Sequence, residues 1–142
     1  MRYLIFVRHG EAEALSGADT TRHLTEKGRA DVRRSFEVLK DYLKDKDFKI
    51  YSSPVTRAVE SAEEGSKILD QDFKIISPLQ GGTLDKVVME LEGEYNVLVS
   101  HQPFIGDWIY ELTDKLIKVE KGSYHIVELH KEFGYRGKLI EL

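Results

Sequence analysis

The chain contains no cysteine. Disulfides, thiolate nucleophiles and zinc sites built on cysteine are therefore excluded. It also lacks any apolar run approaching the roughly 20 residues that a membrane-spanning helix needs, so no membrane association is expected. Prolines number only three. No repeat, low-complexity tract or Pro/Gly-rich linker divides the sequence, and its 142 residues are expected to form one domain, 1–142. A basic excess is missing too. With 21 Lys and Arg against 25 Asp and Glu, the net charge is -4. That argues against a general nucleic-acid binder while leaving room for a local basic pocket. The first residues, Met1 to Val7, are too soon interrupted by Arg8 to suit a signal peptide, so a cytoplasmic location is expected.

What is present reads as strands alternating with helices. Tyr3 to Val7 is a continuous apolar run, as expected of a buried strand. Thr25 is placed to cap a helix in which Ala30, Val32, Phe36, Leu39, Tyr42 and Leu43 recur at helical spacing, fading near Asp45. Phe48 to Tyr51 is a second buried strand. Pro54 suits the first turn of a following helix whose face carries Ala58, Ala62, Gly65, Ile68 and Leu69. Phe73 to Ile76 is a short strand. Thr83 caps a helix to about Leu91, Val97 to Val99 is a strand, and Phe104 to Leu112 is helical. Tyr124 to His130 and Lys138 to Leu142, with Gly134 and Gly137 between them, predict an antiparallel hairpin. This order predicts a three-layer α/β/α sandwich with a mostly parallel sheet and antiparallel C-terminal strands. The charged run Lys115 to Lys121 reads as an exposed connection, and Trp108 as packing beneath its helix.

In open α/β sheets, chemistry collects beyond the carboxyl ends of the strands. Three such ends carry unusual residues: Arg8-His9-Gly10, Ser52-Ser53-Pro54 followed by Arg57, and Ser100-His101. Arginine forks match phosphoryl oxygens, and a neutral imidazole is a competent nucleophile near pH 7. Arg8 and Arg57 could hold non-bridging oxygens, and His101 could add a donor. Nearby arginines would keep His9 unprotonated, and Gly10 would let the backbone approach an oxyanion. Each residue also has a plain structural reading. Arg8 could pair with a surface carboxylate, Arg57 with Glu60 three residues on, and either histidine could simply be hydrogen-bonded. Separate structural roles would not require all four to lie just beyond buried strands.

Arg8-His9-Gly10-Glu11-Ala12 resembles the Arg-His-Gly motif of the histidine phosphatase superfamily, the phosphoglycerate mutase-like enzymes. The likeness extends to Arg22-His23-Leu24-Thr25-Glu26-Lys27-Gly28 and to Ser52-Ser53-Pro54-Val55-Thr56-Arg57-Ala58. At Ser100-His101-Gln102-Pro103-Phe104-Ile105-Gly106 the chain is similar to the short SixA-type phosphohistidine phosphatase branch. Together these motifs span most of the chain in the right order. The resemblance implies that His9 is phosphorylated while Arg8, Gly10, Arg57 and His101 bind the phosphoryl group. Arg22 matches a basic position beside the site, for phosphate or substrate contact or for pairing with a loop acid. Ser16 and Ser52 could support the pocket, though a loop residue and a helix-entry hydroxyl are their plainer readings.

One departure separates subfamilies. Mutases and many larger phosphatases place an acidic proton donor after the third strand. Here that stretch reads Pro78-Leu79-Gln80-Gly81-Gly82-Thr83, with no carboxylate before Asp85. An alkoxide leaving group without its acid loses a factor of about 10² to 10⁴, whereas an imidazole leaves near neutral pH with less help. The expected substrate is thus a protein phosphohistidine. The alternative is a broad phosphomonoesterase or mutase acting on small phosphate esters. Asp85 reads better as a helix-start residue, and Glu11 remains a fallback acid. No cofactor is expected. A metallohydrolase reading is weak, because His9, His23, His101, His125 and His130 show no HExxH-type spacing. A non-catalytic anion-binding module would not need the full set of Arg8, His9, Arg57 and His101.

Overall fold

The computed structural model describes residues 2–14, 21–131 and 134–142. Six strands form one sheet: β1 (Arg2–Arg8), β2 (Phe48–Ser52), β3 (Phe73–Ile75), β4 (Tyr95–Ser100), β5 (Tyr124–Lys131) and β6 (Tyr135–Ile140), in the order β3-β2-β4-β1-β5-β6. The neighbours β3/β2, β2/β4 and β4/β1 are parallel, and β1/β5 and β5/β6 antiparallel. The mixed sheet is the one predicted from the alternating pattern and the terminal hairpin.

Two helical layers cover it. The helices α1 (Glu26–Leu43) and α2 (Thr56–Leu69) bury Val32, Phe36, Leu39, Ala58 and Ala62 against Ile5, Val7, Ile50, Val97 and Val99. On the other face, α3 (Leu84–Met89) and α4 (Phe104–Thr113) bring Val87, Val88, Ile105, Trp108 and Ile109 onto Leu4, Phe6 and Leu98. Strand alternation explains the partition. Leu4 and Phe6 point one way and Ile5 and Val7 the other, so the continuous apolar run of β1 feeds two cores. Each fully buried aliphatic or aromatic side chain contributes on the order of 1.5–3 kcal/mol. Thr25 caps α1, its hydroxyl accepting from Gly28 N, and Thr83 caps α3 in the same way through Lys86 N. No helix among the described residues is long and apolar enough to cross a membrane.

Four expectations need correction. Pro54 precedes α2 rather than forming its first turn; Val55 is the cap and Thr56 the first helical residue. Ala30 is exposed on α1, because the buried face runs through Gly28 and Val32 instead. Gly137 lies within β6, opposite Leu129, where a Cβ would fall 2.5 Å from Val127 Cγ1. The stretch 115–121 is not merely a charged connection, since Val119 is buried in the core beside α3 and α4.

Candidate active site

Because β1, β2 and β4 run parallel, their carboxyl ends share one edge of the sheet, and the residues that follow them meet there. His9 leaves β1 with its main-chain N–H still bonded to Ser100 O at the end of β4, at 3.2 Å. Its Nδ1 lies 2.8 Å from Gly10 O. A carbonyl only accepts, so Nδ1 carries the proton and Nε2 the lone pair. Arg57, in the first turn of α2, donates from Nε to that Nε2 at 3.2 Å. The two histidine rings lie 5.1 Å apart between centroids.

Burial is the main reason His9 resists protonation. The positive fields of His101, Arg57 and Arg8 add to it, against the opposing hydrogen bond that His9 donates to Gly10 O, and its pKa is pushed down to about 3. The imidazole is therefore neutral at ordinary pH. Arg8 sits within the same field; burial and then Arg57 pull its pKa below the usual arginine range. Its Nη1 donates to Val119 O at 2.9 Å, and its buried Nε has no hydrogen-bond partner.

Backbone crowding fixes the turn after His9. A Cβ on Gly10 would stand 2.3 Å from Gly28 O, and one on Gly28 would stand 2.2 Å from Glu11 O. Only glycine at both positions lets the start of α1 press against the turn after β1. Ser61 locks this arrangement from the other side. Its buried hydroxyl accepts from Gly10 N at 3.2 Å and donates to Arg57 O at 2.8 Å, joining the turn after His9 to the turn that carries Arg57. His101 is held by Ser53: its Nε2 is 2.7 Å from Ser53 Oγ, which also accepts from Val55 N at 3.2 Å. Ser52 Oγ donates to Ser53 O at 2.8 Å.

The predicted quartet Arg8, His9, Arg57 and His101 is thus brought together, with Gly10 beside it. Arg22 stands in the segment before α1, where its Nη1 donates to Glu13 O at 3.1 Å. This bond goes to a loop acid's main chain, not its carboxylate. The Glu11 carboxylate accepts from the Thr25 hydroxyl at 2.9 Å. Asp85 lies exposed in the first turn of α3, the helix-start position expected of it. Ser16 lies outside the described residues. Trp108 is buried, its indole N–H donating to Gly82 O. His125 and His130 both fall on β5, the first strand of the predicted hairpin. Among the described residues no group of three or more His, Cys, Asp or Glu could hold a metal ion.

Ser53, Ser61 and Val119 were not found from sequence. Both serines sit in a segment already singled out for Arg57, and their one visible signal is a small hydroxyl where the apolar pattern calls for burial. Val119 contributes a carbonyl, which no side-chain pattern can reveal.

Known proteins share this sequence pattern and fold. The sequence model of the histidine phosphatase superfamily (branch 1) matches residues 4–81. A Haemophilus influenzae protein named phosphohistidine phosphatase SixA homolog is 32% identical over 127 residues, which is 79% of this chain and 77% of that protein. Among solved structures, the protein histidine phosphatase SixA complexed with tungstate superposes with a TM-score of 0.83 at 22% identity, covering 96% of this chain and 94% of that one. A putative SixA from Agrobacterium tumefaciens gives 0.80 at 17% identity, over 99% and 96% of the two chains. The phosphoglycerate mutase-like fold is thereby shared.

Proposed function

The chain belongs to the histidine phosphatase superfamily, and from that premise we propose that it is a phosphatase acting on protein-borne phosphohistidine through a covalent phosphohistidine at His9. The observation that carries the proposal is the neutral His9 imidazole. Its proton is committed to Gly10 O, and its lone pair faces the Arg57 guanidinium.

In the first step His9 Nε2 attacks phosphorus. The N–P bond to His9 forms as the bond from phosphorus to the substrate's imidazole nitrogen breaks. The departing nitrogen keeps that electron pair and takes a proton from solvent. Water then attacks the phosphorus on His9, the new O–P bond forming as the Nε2–P bond breaks, and its protons stay with the phosphate or pass to solvent. Phosphate leaves and Nε2 regains its lone pair. Charge on the phosphoryl oxygens is met by Arg8 and Arg57 together with His101, and positioning plus neutralisation supply most of the catalysis. Arg57 donates to Nε2 in the unliganded site and passes that donor to a phosphoryl oxygen as the lone pair is used. Gly10, having no side chain, lets the turn after His9 pack against Gly28, and Arg22 contacts the substrate from the rim.

The substrate class follows from the leaving group. Between Ser77 and Thr83 there is no carboxylate, Asp85 is exposed at a helix start, and the Glu11 carboxylate is bonded to Thr25. An alkoxide would leave poorly from such a site; an imidazole would not. The test is a panel of phosphohistidine protein, aryl phosphate and sugar phosphate, with and without chelator, on wild type and His9→Ala. Wild type should favour phosphohistidine, with an acid-labile phosphoenzyme mapping to His9, and His9→Ala should lose both turnover and trapping. Normal turnover by His9→Ala would end the proposal. A strong preference for sugar phosphates would move the chain to the phosphomonoesterase reading.

A further inference from the structure

Beside the catalytic quartet a groove of about 730 Å³ runs between α1 and the segment leading into β5. Its lining includes Arg8, Lys27, Arg34, Lys118 and Lys121, against the two carboxylates of Asp31 and Glu120. Asp31 is shared by Lys27, at 3.1 Å, and Arg34, while Glu120 meets Lys118 at 3.2 Å. Five cations against two anions leave the groove positive, in a chain whose net charge is -4. The rest of the molecule is correspondingly acidic.

The groove is joined to the catalytic centre in two ways. Arg8 belongs to both. Gly122, in the groove lining, donates its N–H to the main-chain carbonyls of Arg8, at 3.1 Å, and His9, at 3.0 Å. Gly122 O accepts from the Ser35 hydroxyl on α1. With φ at +76° and a hypothetical Cβ 3.0 Å from Asp31 Cβ, Gly122 brings this segment close against α1. The groove therefore adjoins the main chain that carries Arg8 and His9.

We propose that this groove receives an acidic stretch of the phosphoprotein substrate flanking its phosphohistidine. The inference rests on the phosphohistidine reading above and adds to it what surrounds the modified residue. A long polyanion such as nucleic acid would overrun the short positive patch onto acidic surface. A short acidic segment anchored by its own phosphoryl group would not. Complementary charge of this kind acts on encounter and on KM rather than on the chemical step.

The test uses three peptides of equal length with one central phosphohistidine, flanked by Glu, Ala or Lys, together with free phosphohistidine. Wild type is compared with the double variant Lys118→Glu/Lys121→Glu, both exposed positions outside the catalytic machinery. Wild type should show a KM about tenfold lower for the Glu peptide than for the Lys peptide, and the difference should shrink with added salt. The variant should raise KM for the Glu peptide about tenfold while leaving kcat, and both constants for free phosphohistidine, unchanged. Equal KM values for the three peptides on wild type, or an equal loss on free phosphohistidine, would overturn the groove assignment. So would stronger competition by an oligonucleotide than by the unphosphorylated Glu peptide. If every phosphohistidine substrate is refused while aryl phosphate is turned over, the substrate reading itself has failed and the acidic occupant falls with it.

Discussion

Ser53 Oγ stands 2.7 Å from Nε2 of His101, and the same oxygen accepts the Val55 N–H that opens α2. Both residues are buried, so the ring has little freedom to seek another partner. One hydroxyl thus sets the orientation of the second histidine and the entry of the helix that carries Arg57. Ser53→Ala leaves a buried N–H and a ring nitrogen to be satisfied anew, and should cost about 1–3 kcal/mol of stability. If His101 serves the transition state, kcat should fall about tenfold or more with a smaller change in KM. Denaturant titration and steady-state kinetics on the same preparation check both parts. Unchanged kcat would remove His101 orientation from the mechanism.

Gly28 sits in the first turn of α1, where replacement by Ala would ordinarily gain up to about 1 kcal/mol of helix propensity. Here the new Cβ would lie 2.2 Å from Glu11 O and 2.7 Å from Glu11 N, main-chain atoms that move only with the turn beyond His9. The steric cost wins. Gly28→Ala should destabilise the protein by about 2 kcal/mol or more and lower kcat, because the displaced turn carries His9, the proposed nucleophile. Gly106→Ala is the matched control. The three atoms nearest its Cβ all belong to the Gln102 side-chain amide, the closest at 3.0 Å, which can shift without moving the backbone, and stability should stay within about 1 kcal/mol of wild type. Equal behaviour of the two variants would show that backbone contact at Gly28 is not what excludes a side chain.

The elements were legible where apolar pattern and length agreed. Buried runs such as Tyr3 to Val7 specify strands, and Thr25 and Thr83 announce the helices they cap. The meeting of Arg8, His9, Arg57 and His101 was legible because parallel strands put their carboxyl ends on one edge. Contacts made by main-chain atoms were not. Arg8 reaches the carbonyl of Val119, 111 residues away, and no residue type encodes that acceptor. Ser53 and Ser61 act through hydroxyl direction, which depends on packing the sequence does not display. Gly137 looked like turn punctuation, yet its missing side chain serves close packing against β5.

Glu60 ties the segment before α1 to α2. Its carboxylate accepts from Leu24 N at 2.8 Å, His23 Nδ1 at 2.9 Å and Arg29 Nη2 at 3.3 Å. The hydrogen bond and charge of Glu60 raise the His23 pKa above its ordinary 6.5. A raised value means the pairing is fully present below about pH 6.5 and is lost as pH rises through the folded-state pKa. In Glu60→Gln the amide oxygen can keep the Leu24 N–H but brings no charge. Proton NMR titration should therefore place His23 higher in wild type than in the variant, where it should return toward about 6.5. Coincident titration curves would show that Glu60 does not govern this histidine.

His9 gives the opposite dependence. Its folded-state pKa is about 3, while an unfolded chain binds the same proton near 6.5. Between those values the unfolded state holds a proton that the native state refuses. Stability that is complete above about pH 6.5 is therefore lost as pH falls toward 3, at about 1.4 kcal/mol per pH unit from this group. His9→Gln removes the titration while keeping a side chain of comparable size. On moving from about pH 7.5 to about pH 4.5, wild type should lose about 2–3 kcal/mol more than the variant, by urea unfolding at each pH. Equal losses would mean that His9 titrates normally in the folded protein. An ordinary titration would also undo the kinetic corollary. With a pKa of about 3 His9 keeps its lone pair throughout the mildly acid range, so an acid limb in kcat/KM between about pH 5 and 7 must belong to the substrate or to another group.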